Sequence, residues 1–201
     1  MGNGGTISGV RKGNFNELKV TSNAVSKPAI EIKNIRNDAN ASTLKFIKDK
    51  NGSAGADNDD IGTIEFVSDD AAQTQTTFAK ILAEVSEADN TDEAGKLSFY
   101  VAASDGTTTT PTVGLKLEGE HATSGEVDVT IGAGLGSTTT IVGNLTVSGT
   151  TVTVNSTTLS IEDPLIILAN GNNASDTIDI GMYGMYDTSG SLDLYSGLFN
   201  N

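Results

Sequence analysis

The chain of 201 residues has no cysteine and no tryptophan, and it has only three prolines, six phenylalanines and four tyrosines. Without cysteine, neither a disulfide framework nor a thiolate metal site can form. No apolar run approaches the roughly 20 residues of a membrane-spanning helix. The apolar fraction of 36% lies below the usual ~45–50%, a figure that also counts glycine. Such a chain has little material for a hydrophobic core of its own.

The apolar residues that are present stand mostly in alternation with Thr and Ser. The stretch GNLTVSGTTVTVNSTTLSI (143–161) shows this pattern best. A two-residue period is typical of a β-strand with one apolar and one polar face, and each short strand here offers only two or three modest apolar groups. This local order argues against the disorder that low hydrophobicity and high net charge would otherwise indicate. We therefore predict an all-β protein of short strands and turns whose core is completed by other copies of the chain.

Charge is divided unevenly along the chain, whose formal net charge is −14. Nine of the 12 basic residues fall within residues 1–50, which carry a net charge of about +5, and the remainder carries about −19. Like-charge repulsion argues against nucleic acid or an anionic membrane as the partner of the acidic part. The basic segment is suited to docking on an acidic protein surface, although solvated lysines on strands would give the same pattern.

Short alternating runs separated by turn residues predict the strands. These runs are residues 16–20, 29–35, 42–49, 61–69, 95–104, 113–120, 126–134 and 138–150. Between the third and the fourth run, residues 49–60 read as a loop, because Asn51-Gly52 is a strong turn signal and the small and acidic residues after it bury nothing.

Residues 77–87 (TFAKILAEVSE) fit two structures. Helical spacing at i, i+3, i+4 and i+7 is shown by Phe78, Ile81, Leu82 and Val85, and Ala, Lys, Leu and Glu are good helix formers. At a period of two, Ala79, Ile81, Ala83 and Val85 share one face instead. We predict a strand, because the run at 95–104 is placed to pair with it across the turn NTDEAG.

These patterns divide the chain into five parts. They are an extended N-terminal segment (1–15), an N-terminal β segment for attachment (16–60), a central β module (61–134), a shaft-like β linker (135–160) and a C-terminal β module (161–201). The last part holds the longest apolar run, Leu165 to Ala169, and three of the four tyrosines.

Few residues offer chemistry. His121 is the only histidine, so a histidine-based metal cluster or catalytic triad would depend on it alone, and its sequence GEHATSG predicts an exposed loop residue. The acidic cluster at 57–60 has oxygen ligands that Ca²⁺ uses, but residues 49–53 depart from the EF-hand pattern, and a solvated acidic loop is the alternative.

Two further patterns resemble functional motifs only in part. Asp69-Asp70 and Asp92-Glu93 are carboxylate pairs, but glycoside hydrolysis also needs an aromatic-lined concave site, for which this chain has few aromatics. In GAGLGS (132–137) the third glycine falls one residue too early for a dinucleotide-binding loop. We therefore predict no catalytic, metal-binding or cofactor-binding residue, no cofactor and no enzymatic activity.

Two long stretches resemble a known protein class. IGTIEFVSDDAAQTQTTFAKILAEVSEADNTDEAGKLSFYVAASDGT (61–107), with GLKLEGE (114–120) and EVDVTIGAG (126–134), resembles a module of tail fibres and other virion structural proteins of tailed bacteriophages, especially marine cyanophages. VGNLTVSGTTVTVNSTTLSIEDPLIILANGNNASDTIDIGMYGMYDTSGSLDLYSGLF (142–199) is similar to the module preceding the distal parts of such fibres. The match is weakest over residues 1–60, and neither a receptor-binding tip nor an intramolecular chaperone is visible.

This resemblance implies a β-rich homotrimeric fibre, with strands intertwined or side by side, located in the virion and assembled in the host cytoplasm. The expected partners are further copies of the chain, other virion proteins bound through the N-terminal region and a host cell-surface receptor, with neither nucleic acid nor membrane insertion. A tail fibre is the first expectation and a capsid head fibre or decoration protein the second, followed by a glycan-degrading tailspike. A bacterial surface adhesin is disfavoured because residues 1–15 lack the apolar stretch of a secretory signal.

Overall fold

The computed structural model describes residues 17–25, 27–121, 125–149, 152–155, 159–160, 180–186 and 194–200. These residues contain seven β-strands and no helix, so the all-β prediction is confirmed. The strands are β1 (Asp60–Asp69), β2 (Gln75–Glu87), β3 (Ala94–Ser104), β4 (Thr109–Gly119), β5 (Val127–Ile131), β6 (Ile180–Tyr186) and β7 (Leu194–Asn200).

The first five strands form one open antiparallel sheet in the order β1-β2-β3-β4-β5, so each strand pairs with its neighbour in sequence. The last two form a separate antiparallel pair. The chain divides into two compact units, Met1–Val142 and Gly143–Asn201, and the boundary falls inside the segment predicted as a linker. The apolar run at 165–169 lies outside the described residues.

Residues 77–87 form a strand, as predicted, despite their helix-forming composition. They lie in β2, which pairs with β1 on one side and β3 on the other. Pairing on both sides satisfies the backbone hydrogen bonds of the segment and outweighs the helix propensity of its Ala, Lys, Leu and Glu residues. Phe78 has no partner in β1, because Phe66 pairs with Ala79 and Val67 with Thr77.

The turn before β1 and the hairpin tips form in the way their side chains favour. Asn51 and Gly52 both have positive φ, and Ser53 N donates to Lys50 O across them, which confirms the turn predicted there. At the β1–β2 tip, Asp70 accepts hydrogen bonds from Ala72 N and Thr74 N.

The β3–β4 tip is built around another aspartate. Asp105 accepts from the backbone of Thr107 and Thr108 and from the Thr107 hydroxyl, and Gly106 has a φ of +93°. These hydrogen bonds lower the pKa of Asp105 from 3.8 to about 2, with the Thr108 backbone contributing most. The carboxylate therefore remains ionised, and the tip remains closed, far into the acidic range.

The structure differs from the sequence prediction in the segments that precede and follow the sheet along the chain. Within the predicted β segment 16–60, residues 17–25 and 27–59 contain no strand, and neither do the described residues between 138 and 150. Residues such as Ile30 and Leu44 keep the alternating pattern but stay exposed. A two-residue period yields a strand only when another strand pairs with it, and within the described part of one chain these segments have no such neighbour.

Candidate functional site

The five-stranded sheet has one apolar face. The register aligns Ile64, Ile81, Phe99, Leu115 and Ile131 in one row across all five strands. In the next row, Gly62 of β1 is aligned across the strands with Ala83, Leu97, Leu117 and Val129. Because cross-strand partners lie on the same side of a sheet, these rows form a continuous surface. We call it the apolar face; its members are Ile64, Phe66, Ala79, Ile81, Ala83, Val85, Leu97, Phe99, Val101, Leu115, Leu117, Val127, Val129 and Ile131.

Within the unit Met1–Val142, no described strand outside the sheet covers this face, and Phe46 packs on it at the Gly62 rim. Seven of its large side chains are between 38% and 58% exposed, namely Ile64, Phe66, Leu97, Val101, Val127, Val129 and Ile131. The others, Ile81, Val85, Phe99, Leu115 and Leu117, are half-buried. Leu82 is the only buried apolar side chain of the five-stranded sheet, and it lies on the opposite face. Monomeric proteins rarely expose a contiguous apolar surface of this extent.

The opposite face is charged and internally paired, and we call it the charged face. One of its rows contains Asp60, Glu84, Lys96, Glu118 and Asp128, one from each strand. Lys96 Nζ lies 3.4 Å from Glu84 Oε1, and both side chains are less than one-fifth exposed. Opposite charges directly across strands stabilise a sheet, so Lys96 favours the register of β3 with β2 and β4. The like-charged pairs at the two edges, Asp60 with Glu84 and Glu118 with Asp128, do not contribute to this stabilisation.

Lys116 and Glu118 form a second pair on the charged face. Lys116 Nζ lies 2.6 Å from Glu118 Oε2, and Glu118 also accepts a hydrogen bond from the Ser86 hydroxyl. The hydrogen bond from Lys116, followed by that from Ser86, lowers the pKa of Glu118. In turn, the hydrogen bond to Glu118 raises the pKa of Lys116. Nearby, Lys80 Nζ lies 4.4 Å from the centroid of the Tyr100 ring, which is within cation–π range.

The two most buried described residues lie between these pairs. Leu82 is 7% exposed and Ser98 is 1% exposed, and they are cross-strand partners in the row that continues to Lys116. Long lysine, glutamate and tyrosine side chains in the flanking rows place their aliphatic or aromatic parts over smaller neighbours while their polar ends reach water. The charged face therefore has its own covering layer, whereas on the apolar face Phe46 covers the rim position at Gly62.

Residues 49–60, where we considered a calcium site, use their carboxylates within the protein. Asp59 pairs with Lys50 Nζ at 2.8 Å and accepts from Ala56 N, while Asp57 accepts from Ala88 N. The hydrogen bond from Lys50 is the main reason that the pKa of Asp59 is lowered. Among the described residues, no group of three or more His, Cys, Asp or Glu side chains is placed to hold a metal ion.

The other sequence candidates lie at the ends of the sheet and are not brought together into one site. Asp70 closes the β1–β2 turn, while Asp69 and Glu93 are exposed. Residues 132–137 form a turn after β5, with positive φ at Gly132 and Gly134 and with the Ser137 hydroxyl hydrogen-bonded to Ala133. No helix follows this turn in the described residues, so the geometry of a dinucleotide-binding loop is not formed.

His121 is solvent-accessible, as predicted, but it is paired. Its Nδ1 lies 3.2 Å from Asp92 Oδ2, so the imidazole joins the end of β4 to the β2–β3 connection. The hydrogen bond with Asp92, reinforced by its negative charge, raises the pKa of His121 above 6.5. Because the folded-state pKa lies above the unfolded one, this pair stabilises the fold fully below about pH 6.5 and loses its contribution as the pH rises through the raised value.

We predict that Asp92→Asn lowers the pKa of His121 towards its ordinary value, because the neutral amide no longer favours the imidazolium. The Cε1 proton of the single histidine reports this pKa directly in a pH titration followed by NMR. Asp89→Asn is the matched control: it removes a charge from the same connection without touching the ring. Equal His121 pKa values in the wild type and in Asp92→Asn would show that the pair does not form in solution.

One contact ties the segment before the sheet to β1. A Cβ added at Gly62 would lie 2.8 Å from Phe46 Cβ and 2.9 Å from its Cγ, so Phe46 packs directly on the glycine. Gly62 is paired with Ala83, and Phe46 therefore covers one rim position of the apolar face. Beside this contact lies an open groove lined by Phe46, Ile61 and Val85, with Lys48 and Lys50 at its margin.

We predict that Gly62→Ala destabilises the protein by about 1–3 kcal/mol, because the added methyl group must displace Phe46 or the backbone. Gly95→Ala is the matched control, since a Cβ at that strand position meets nothing within 4 Å. The control is expected to be neutral or slightly stabilising, because alanine loses less conformational entropy than glycine on folding. Denaturant unfolding measures both, and equal stabilities of the two variants would contradict the Phe46 contact.

Comparisons with known proteins add no assignment: no family model, curated protein or solved structure matches the chain. Within the described residues, no helix is long and apolar enough to cross a membrane.

The candidate functional site is the apolar face, where large apolar side chains of all five strands are exposed or half-buried. Sequence alternation indicated its strands but not its extent, because that depends on the register of all five.

Proposed function

We propose that the chain is a non-enzymatic structural component of a tailed-phage virion, and that it assembles as a homotrimeric tail fibre or as a proximal segment of one. The observation that carries this proposal is the open apolar face. A sheet whose large apolar side chains remain exposed, and whose only buried apolar residue lies on the other face, is incomplete as a single chain. The phage assignment rests on the resemblance of residues 61–134 and 142–199 to fibre modules.

The segment before the sheet supports a role in attachment. Residues 17–25 and 27–49 are exposed along their length and contain no strand. Exposed apolar residues, among them Ile32 and Ile35, alternate with basic ones there, including Lys33 and Arg36. An extended chain of this composition orders itself on a partner surface by combining apolar contacts with charge attraction. Its proposed partner is an acidic surface of another virion protein.

The fibre would act by multivalent presentation. Three copies joined along their length hold three distal modules close together, so that weak individual contacts with a host receptor combine through effective concentration. No catalytic step is assigned to any residue. The carboxylates that stand in pairs along the sequence are used in turns and in the His121 pair, or are exposed.

Two measurements test the proposal. Light scattering on a size-exclusion column is expected to give a mass near three times 20.7 kDa, and immunogold electron microscopy of the virus particles that contain the chain is expected to label the tail. Gold on the capsid would favour a head fibre or decoration protein instead, and hydrolysis of a host polysaccharide would favour a tailspike. A folded monomer, or particles without label, would contradict the proposal.

A further inference from the structure

The apolar face exposes large apolar side chains to water, which is unfavourable for a single chain. Resting on the homotrimer of the proposed function, we propose that this face is the trimer interface: three copies of the β1–β5 sheet enclose a triangular prism with their apolar faces turned inward. The occupant of the apolar face is thus the same face of two other copies. The charged face then forms the outer surface of the assembly.

The size of the face fits a stable interface. Five strands spaced by about 4.8 Å give a width of about 24 Å, and ten residues of strand at about 3.3 Å give a length of about 33 Å. Because β5 is only five residues long, the face covers roughly 700 Å², and three such faces together bury about 2,100 Å², comparable with the ~1,200–2,000 Å² total of a stable protein interface. The face is therefore neither too small to hold copies together nor in need of further elements.

The width of the sheet also fits a filled three-fold core. Three sheets about 24 Å wide, set as the sides of an equilateral triangle, lie about 7 Å from the common axis at their midlines, a little more than half of the ~10 Å separation of two packed sheets. The midline strand is β3, and its apolar face carries Leu97, Phe99 and Val101. Side chains of this size reach far enough inward to fill the space around the axis without leaving a channel.

Charge favours contact between the apolar faces of two copies over contact between their charged faces. Each chain has a net charge of −14, so copies that met through their charged surfaces would repel one another. The apolar face has no charged side chain, whereas Glu84, Glu118 and Asp128 all lie on the opposite face. Inward packing of the apolar face buries apolar area without burying an unpaired carboxylate, and it leaves the acidic groups in water.

Two cysteine variants test this arrangement, since the chain has no other cysteine. Val101 lies on the apolar face and is 57% exposed in the single chain, whereas its neighbour Ala102 lies on the opposite face and is half-buried. In a single chain, Val101→Cys would therefore react with a maleimide faster than Ala102→Cys. In the proposed trimer the order is reversed, with the Val101→Cys thiol labelled at least ten times more slowly than the Ala102→Cys thiol.

The mass of each sample, measured beforehand by light scattering, separates the two proposals. A trimer in which Val101→Cys labels faster overturns the inward-facing sheet and leaves the trimeric fibre standing. A monomer in which Val101→Cys labels faster overturns both. A monomer in which it is protected shows that another segment of the same chain covers the face, which also overturns the proposal. Protection that is lost when the trimer is dissociated by mild denaturant is the supporting result.

Discussion

Leu117→Asp is expected to convert the trimer into single chains. Leu117 lies near the middle of the apolar face, where it pairs with Leu97 on one side and Val129 on the other. In the proposed assembly each substitution places a carboxylate in an apolar interior without a partner, which costs several kcal/mol per copy. Three copies would bring three such charges near one axis, where they also repel one another. The mass measured by light scattering should fall from about three chains to one, 20.7 kDa.

Thr130→Asp is the matched control for this variant. It adds the same charge to the neighbouring strand β5, but on the charged face, where Thr130 is exposed and pairs with Lys116. The control should remain trimeric with a melting temperature close to that of the wild type. If Leu117→Asp also remains trimeric and melts unchanged, the apolar face is not the interface.

Leu82→Ala is expected to destabilise the sheet within each copy by about 2–3 kcal/mol, the lower part of the range for deleting a buried leucine side chain. Leu82 is the one apolar side chain of the described residues that the chain itself buries, on the charged face and opposite Ser98. Its loss would leave a cavity under the layer formed by the flanking lysine, glutamate and tyrosine side chains. The free energy of unfolding, measured by denaturant titration, should fall by this amount.

Leu135→Ala provides the comparison, because Leu135 is fully exposed in the turn after β5. An exposed leucine can lose its side chain with a change of less than about 0.5 kcal/mol. A Leu82→Ala variant as stable as Leu135→Ala would show that the charged face does not stabilise the sheet. Leu117→Asp and Leu82→Ala thus separate the faces: the first is expected to act between chains and the second within a chain.

These expectations give the two faces different roles in a fibre. In the proposed fibre, burial of about 700 Å² by each of three chains, estimated from the strand spacing, would supply the hydrophobic energy of assembly. On the charged face, Lys96 pairs with Glu84 and is aligned with Glu118, which favours the register of β2, β3 and β4, and the outward acidic groups would keep the assembly in solution. The pairs at the ends, His121 with Asp92 and Lys50 with Asp59, fix the connections on one side of the sheet.

Several features followed from the sequence itself. Alternation of β-branched and polar residues predicted strands at 61–69, 95–104 and 113–120, because a two-residue period places side chains on opposite faces of an extended chain. Asn51-Gly52 predicted its own turn, since both residues tolerate positive φ. The scarcity of large apolar residues predicted a thin core, and only Leu82 is a buried apolar residue in the described chain.

Other features depended on the tertiary structure. The alternation at 29–35 and 42–49 is as regular as that of β1, yet these residues form no strand, because a strand requires a partner for its backbone that sequence periodicity does not reveal. Conversely, 77–87 became a strand against its composition because β1 and β3 pair with both of its edges. The apolar face arises only when five strands align in one register. Local side-chain preferences therefore determined which segments are extended, and long-range pairing decided which of them join the sheet and which surface of the sheet stays exposed.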